Sequence, residues 1–184
     1  MCALVYSESY NNYEGLVAFQ FETDAKIIIE DVTANNNLLK GMYLTGAGIT
    51  AKNANLRNNG LLGLQIGGPP ENEITLAGDI TVTNNVEGFA TPFAKGTVSV
   101  TGNLISNHNE YGVAAFSSEN FTLAVGGSNS GKAGKSRSGS LTACDNSELD
   151  VDNFGGANFE GSDYTCDTTN GTNLPECKPC PGCL

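Results

Sequence analysis

This chain of 184 residues predicts an all-β fold, a single-stranded right-handed parallel β-helix with three short strands per rung and 22–26 residues per rung. Three observations carry that reading. An Asn pair, a Gly and an aliphatic run recur along the first two-thirds of the chain. Each repeat splits into three short runs of alternating side chains. The composition favours strands and turns: only 16% of residues are charged, 23 are Gly, and few are the Glu, Lys, Arg and Gln that coat helices.

The repeat is read from the glycines. Asn11-Asn12 precedes Gly15, Asn36-Asn37 precedes Gly41, Asn58-Asn59 precedes Gly63, Asn84-Asn85 precedes Gly88, and Asn107 with Asn109 precedes Gly112. Successive glycines are 26, 22, 25 and 24 residues apart. A near-constant period of this size marks stacked rungs. It is too long for the hexapeptide period of left-handed β-helices, and no Leu-x-x-Leu-x-Leu consensus appears.

Each rung then justifies its own strands. The rung of Gly15 offers Leu16 to Phe21, Ile27-Ile28-Ile29 and Val32. That of Gly41 offers Met42-Tyr43-Leu44, Ile49-Thr50-Ala51 and Ala54-Asn55-Leu56. Gly63 opens Leu64-Gln65-Ile66, Ile74-Thr75-Leu76 and Ile80-Thr81-Val82. Gly88 opens Phe89-Ala90, Val98-Ser99-Val100 and Leu104-Ile105. Period-two runs broken by Asn, Gly and Asp are strand and turn, and no window carries a 3.6-residue helical period.

Asparagine tolerates the left-handed backbone of a tight corner. Repeated at one corner it can also bond the asparagine of the rungs above and below, one strand spacing of about 4.8 Å away. Asn12, Asn36, Asn58, Asn84 and Asn107 are therefore expected to form a structural ladder. The pattern decays after Val125. Residues 126–140 read as a Gly/Ser-rich loop inserted between rungs, carrying Lys132, Lys135 and Arg137. Strand character returns at Leu141 and Leu149. The chain thus divides into a β-helix over 1–160 and a Cys-rich tail over 161–184. Its start lacks a basic, apolar leader and is expected to fall mid-repeat in a longer protein.

The formal net charge of −11 argues against a nucleic-acid partner, which needs a basic stripe. No run approaches the roughly 18 apolar residues of a membrane span. Cys144, Cys166, Cys177, Cys180 and Cys183 crowd the end of the chain. Disulfides in an oxidising, extracellular setting are the first reading, with Cys144–Cys166 a plausible pair. Thiolate ligation of a metal, with Cys166 as fourth ligand, is the alternative. The sequons at Asn120 and Asn170 would accept glycans in a secreted eukaryotic protein.

No cofactor is implied. Asp145, Glu148, Asp150 and Asp152 are the candidate oxygen ligands for Ca²⁺, without EF-hand order; their alternation equally fits a solvated strand. His108, between two asparagines, reads as a corner residue. Tyr10, Tyr13, Tyr43, Tyr111 and Tyr164 are candidate surfaces for stacking sugars.

With its period, corner asparagines and Gly-aliphatic strands, clearest over Val98–Asn107 and on to Tyr111-Gly112-Val113, the chain resembles the right-handed parallel β-helix superfamily, whose fold is that of pectate lyase. The resemblance extends from Asn11 to Val125 and more weakly to Phe159. The Cys-rich end resembles secreted β-helix repeat proteins without assigned activity. Enzymes of this fold act on polysaccharides, but their motifs are missing. There is no Asn-Thr-Asp, Gly-His-Gly or Asp-Pro-His, and Arg57 has no Asp cluster in its rung. Glu71, Glu73 and Asp79 are the nearest approach to paired carboxylates. The resemblance therefore implies a non-catalytic extracellular or cell-surface module contacting polysaccharide, with a polysaccharide lyase or glycoside hydrolase as the alternative.

Overall fold

The structure is a computed structural model that describes residues 2–21, 25–68, 71–116, 120–126 and 139–181, with side chains from Tyr6 onward. Most of the expected 126–140 insertion, and Cys183, lie outside the described residues. Among the described residues every strand pairing is parallel and no helix occurs, so none is long and apolar enough to cross a membrane. The strands wind into a β-solenoid of about six turns.

Its cross-section has three faces. Face one stacks Glu14–Gln20, residues 40–46, Leu62–Ile66, Glu87–Ala90, Tyr111–Ala115, Leu149–Asn153 and Thr169–Gly171. Face two stacks residues 2–5, 27–30, 49–52 and 72–76, then Gly96–Val100, Phe121–Val125 and Asn158–Gly161. Face three stacks residues 7–10, 32–35, 54–57 and 79–83, then Asn103–Asn107, Ser140–Thr142, Tyr164–Thr165 and Cys177–Lys178. The Cys-rich tail thus continues the winding.

Alternation decides what is inside. In one rung Leu64 and Ile66, Ile74 and Leu76, and Ile80 and Val82 all point inward and are fully buried. Stacking repeats this in register, so Met42, Leu64, Phe89, Val113 and Val151 form one continuous column. Each such side chain contributes about 1.5–3 kcal/mol by leaving water.

The corner between faces three and one explains the repeat motif, and it corrects the expected ladder. The first residue of each Asn pair bends the chain: Asn11, Asn36, Asn58 and Asn84 have φ of 54–56°, and His108 (55°) and Asp145 (56°) take the same place. These side chains are exposed. The second residue makes the ladder. Asn37 Nδ2 donates to Asn59 Oδ1 (3.0 Å), Asn59 Nδ2 to Asn85 Oδ1 (3.1 Å) and Asn85 Nδ2 to Asn109 Oδ1 (3.2 Å). The backbone N–H of each also donates to the next rung's Oδ1, and Asn109 N–H reaches Asn146 Oδ1 at 2.9 Å.

Asn36, Asn58 and Asn84 are therefore corner residues, not ladder members. One residue cannot both point outward from a left-handed bend and hydrogen-bond beneath it. Asn12 donates its backbone N–H to Asn37 Oδ1 at 3.1 Å, but its side chain turns to Ser9 Oγ at 2.9 Å. Asn107 lies on face three, where its Oδ1 accepts the N–H of Cys144 at 2.9 Å.

The glycine follows from the ladder. A Cβ at Gly41 would lie 2.7 Å from Asn59 Nδ2, one at Gly63 2.8 Å from Asn85 Nδ2, and one at Gly88 2.5 Å from Asn109 Nδ2. These approaches exclude any side chain while the asparagine stays in place. A second ladder, absent from the sequence reading, runs along the outside of the corner between faces two and three. Asn53 Nδ2 donates to Asp31 Oδ1 (2.9 Å), Asn103 Nδ2 to Asp79 Oδ1 (2.8 Å) and Ser140 Oγ to Asn103 Oδ1 (2.9 Å). The recurrence of Asp or Asn at positions 31, 53, 79 and 103 was the available signal.

Two cysteine pairs close the far end, Cys144–Cys180 and Cys166–Cys177, with Cα–Cα distances of 5.9 and 5.4 Å. The expected Cys144–Cys166 pair does not form. The register that matches Thr142 with Thr165 aligns Cys166 with Ala143, so strand alternation turns it away from Cys144.

Candidate functional site

The side chains that face out along face one, and at the corner that follows it, divide into an aromatic line and an acidic patch. In the first rungs, Phe19 and Phe21 stack with ring centroids 6.0 Å apart, and Tyr43 meets Phe19 edge-on at 5.3 Å. Lys40 Nζ lies 4.6 Å from the Tyr43 ring centroid and 3.0 Å from Glu14 Oε1. Phe19 is 48% exposed and Phe21 71%. In later rungs the same corner carries Phe93, Phe116 and Phe154. Phe116 and Phe154 stack at 6.3 Å, and Phe93 and Phe154 are exposed. Backbone bonds from Phe93 N–H to Phe116 O and from Gly155 N–H to Ala115 O, both 2.9 Å, hold this corner in step.

Beside Phe154 opens a groove of about 610 Å³, lined by Lys95, Asn120 and Thr172 among others. One aromatic ring, an ammonium, an amide and a hydroxyl, drawn from successive rungs, line this groove. Rings of this kind pack against flat apolar surfaces, while the polar groups fix orientation.

The acidic patch lies lower on face one. Burial, and then the Glu110 and Asp152 carboxylates, push the Glu87 carboxyl above its usual range. Burial does the same to Asp152, against a downward pull from its bond with the Asn170 amide. Burial and the nearby Glu110 and Glu148 raise the Tyr111 phenol. A carboxyl raised in this way binds its proton more tightly folded than unfolded. Its charge therefore disfavours folding at neutral pH, and the loss disappears as pH falls through the raised value to the unfolded value of about 4. Glu87→Gln should accordingly raise Tm at pH 7, with the gain fading by about pH 4. Differential scanning fluorimetry of both proteins across that range measures it; a gain independent of pH would refute the burial of a charge at Glu87.

The four expected calcium ligands do not converge on one point. Asp145 occupies the left-handed corner and Glu148 is exposed. Asp150 is buried and ends the asparagine ladder. Its Oδ1 accepts from Asn146 Nδ2 (2.9 Å), and its Oδ2 from the N–H groups of Asp167 (2.8 Å) and Thr168 (3.0 Å). Asp152 Oδ1 accepts from Asn170 Nδ2 at 3.2 Å. Asp150 does draw close to Asp167 and Cys180, but Cys180 is bonded to Cys144 and donates its N–H to Asp167 Oδ1 at 2.8 Å.

Of the expected sugar-stacking tyrosines, Tyr43 joins the aromatic line, Tyr10 and Tyr13 are exposed on the first rung, and Tyr111 is half-buried. Tyr164 is core: it is 1% exposed, and its one hydroxyl proton lies between Glu160 O (2.8 Å) and Leu123 O (3.1 Å). Asn120 is exposed at the groove, and Asn170 is exposed on the last rung of face one. Arg57 ends a strand of face three, while Glu73 lies on face two and Asp79 joins the outer ladder, so these do not form a site. The phenylalanines were missed because their strand-end positions have no periodic signature.

No protein-family model, curated protein or solved structure matches the chain. The structure shows a parallel β-helix, and nothing in these comparisons ties it to the pectate-lyase superfamily.

Proposed function

We propose that this chain is a non-catalytic, extracellular or cell-surface β-helix module that holds polysaccharide along the corner after face one. The line of exposed phenylalanines carries this reading. The rungs repeat at about 4.8 Å, so the corner offers stacking surfaces at intervals along one axis, as an extended glycan requires. The two cysteine pairs fit an oxidising compartment.

Affinity electrophoresis in gels containing laminarin, alginate or pectin tests the proposal. Retardation by at least one polymer is expected, and Phe154→Ala should weaken it about tenfold, or 1.4 kcal/mol, without lowering Tm, because Phe154 is exposed. No retardation by any of them would overturn the reading. A hydrolytic reading draws on Glu87 and Asp152, two carboxyls with raised pKa on one face. It predicts release of reducing ends from the bound polymer, lost in Glu87→Gln.

A further inference from the structure

Among the described residues, two polar atoms on the outer side of face one have no hydrogen-bond partner: Thr45 Oγ1 and Gln65 Oε1. Thr45 is 1% exposed. A buried polar atom without a protein partner costs about 1–3 kcal/mol when nothing else bonds it, and such atoms are few in native chains. Valine would fill the place of Thr45 without that cost.

Both atoms stand beside the first aromatic cluster. Strand register sets Thr45 against Phe19 and Gln65 against Tyr43, in neighbouring rungs. The corner after Ile66 draws them together. A Cβ on Gly68 would lie 3.3 Å from Tyr43 Oη and 4.0 Å from Thr45 Oγ1, and one on Gly67 would lie 3.6 Å from Gln65 Nε2. The Tyr43 hydroxyl donates to Gly67 O at 3.3 Å, which leaves its own oxygen free to accept. An apolar platform, made by Phe19, Phe21 and Tyr43, therefore adjoins unfilled polar atoms: an acceptor at Gln65, and at Thr45 a hydroxyl able to donate or accept. Thr45 is buried and Gln65 half-buried, so the Gln65 amide is the nearer of the two to solvent.

A ligand that meets both needs has one flat C–H face and several hydroxyls around its rim. We propose that Phe19, Phe21, Tyr43, Thr45 and Gln65 form a subsite for one pyranose ring of a neutral sugar. This rests on the polysaccharide reading above and adds a second contact point to it, about three rungs, or roughly 14 Å, from the Phe154 groove. A glycan long enough to reach both gains from both, and a shorter one occupies either alone.

Thr45→Val and Gln65→Met separate binding from folding. Calorimetric titration with laminarin, alginate and pectin hexasaccharides, beside thermal melts, gives the readout. The expected result is an unchanged or higher Tm, since an unbonded polar atom is removed, with affinity for a neutral hexasaccharide about tenfold weaker. Unchanged affinity in both variants overturns the subsite and leaves the polysaccharide reading intact, provided that Phe154→Ala still weakens binding. A clear fall in Tm shows that these atoms serve the fold and also overturns it. Binding of the charged hexasaccharides alone overturns the neutral-sugar assignment. Failure of the wild-type protein to bind any of the three overturns the polysaccharide reading itself.

Discussion

Replacing Asn85 with leucine should destabilise the protein by about 3–5 kcal/mol, because several bonds end on one side chain. Asn85 Oδ1 accepts from both the backbone N–H of Asn59 (2.9 Å) and its Nδ2 (3.1 Å), while the two protons of Asn85 Nδ2 are shared among Leu56 O (3.3 Å), Thr83 O (3.0 Å) and Asn109 Oδ1 (3.2 Å). Leucine strands the Asn59 N–H in a site sealed from water, and each orphaned group costs about 1–3 kcal/mol. The bulkier side chain would also press on the glycine of the neighbouring rung, since even a Cβ added at Gly63 would lie only 2.8 Å from Asn85 Nδ2. The midpoint of urea unfolding measures the loss. Asn84→Gly is the control: Asn84 is exposed at φ 55°, a conformation glycine adopts freely, so its effect should be within a few tenths of a kcal/mol. Equal effects at the two positions would refute the division of labour within the Asn pair.

Removing the Cys144–Cys180 link is the second large change. It closes a loop of 36 residues, and the chain-entropy model assigns about 4 kcal/mol to such a closure. The Cys166–Cys177 link, across 11 residues, is assigned about 3 kcal/mol. Cys144→Ala/Cys180→Ala should lower stability by the larger amount, and reductant should have no further effect on that link. Because each rung of a solenoid touches only its neighbours, the loss should begin in the last rungs. Hydrogen exchange should therefore show faster exchange at Leu149–Asn153 and Tyr164–Thr165 than at Leu62–Ile66. Uniform acceleration through all rungs would contradict this picture, as would stability equal to that of the native chain.

The architecture was legible because its cause is local. Leu64, Ile74 and Ile80 announce three strands through alternation alone, and a recurring Asn pair with Gly after two or three further residues announces the corner. The candidate site was harder to read. Tyr164 has the composition of a binding residue but is pulled inward by alternation, and its hydroxyl finds two carbonyls there. Phe21, Phe93 and Phe154 come from different rungs and share no spacing; only winding brings them to one corner. Thr45 and Gln65 are ordinary strand residues until register sets them beside Phe19 and Tyr43.

By itself the sequence determined the all-β class, the rung length, the three faces and the alternation that fills the core, all properties of one repeat of backbone and its immediate neighbours. Tertiary structure decided which asparagine of each pair carries the ladder, that Asp150 ends it, and which cysteines meet. Those outcomes depend on the side of the strand each residue takes and on register between rungs. Rung lengths vary, and the ladder step from Asn109 to Asn146 spans 37 residues. A change of that size leaves the stacking intact but shifts which side chains meet, and only the wound chain fixes that.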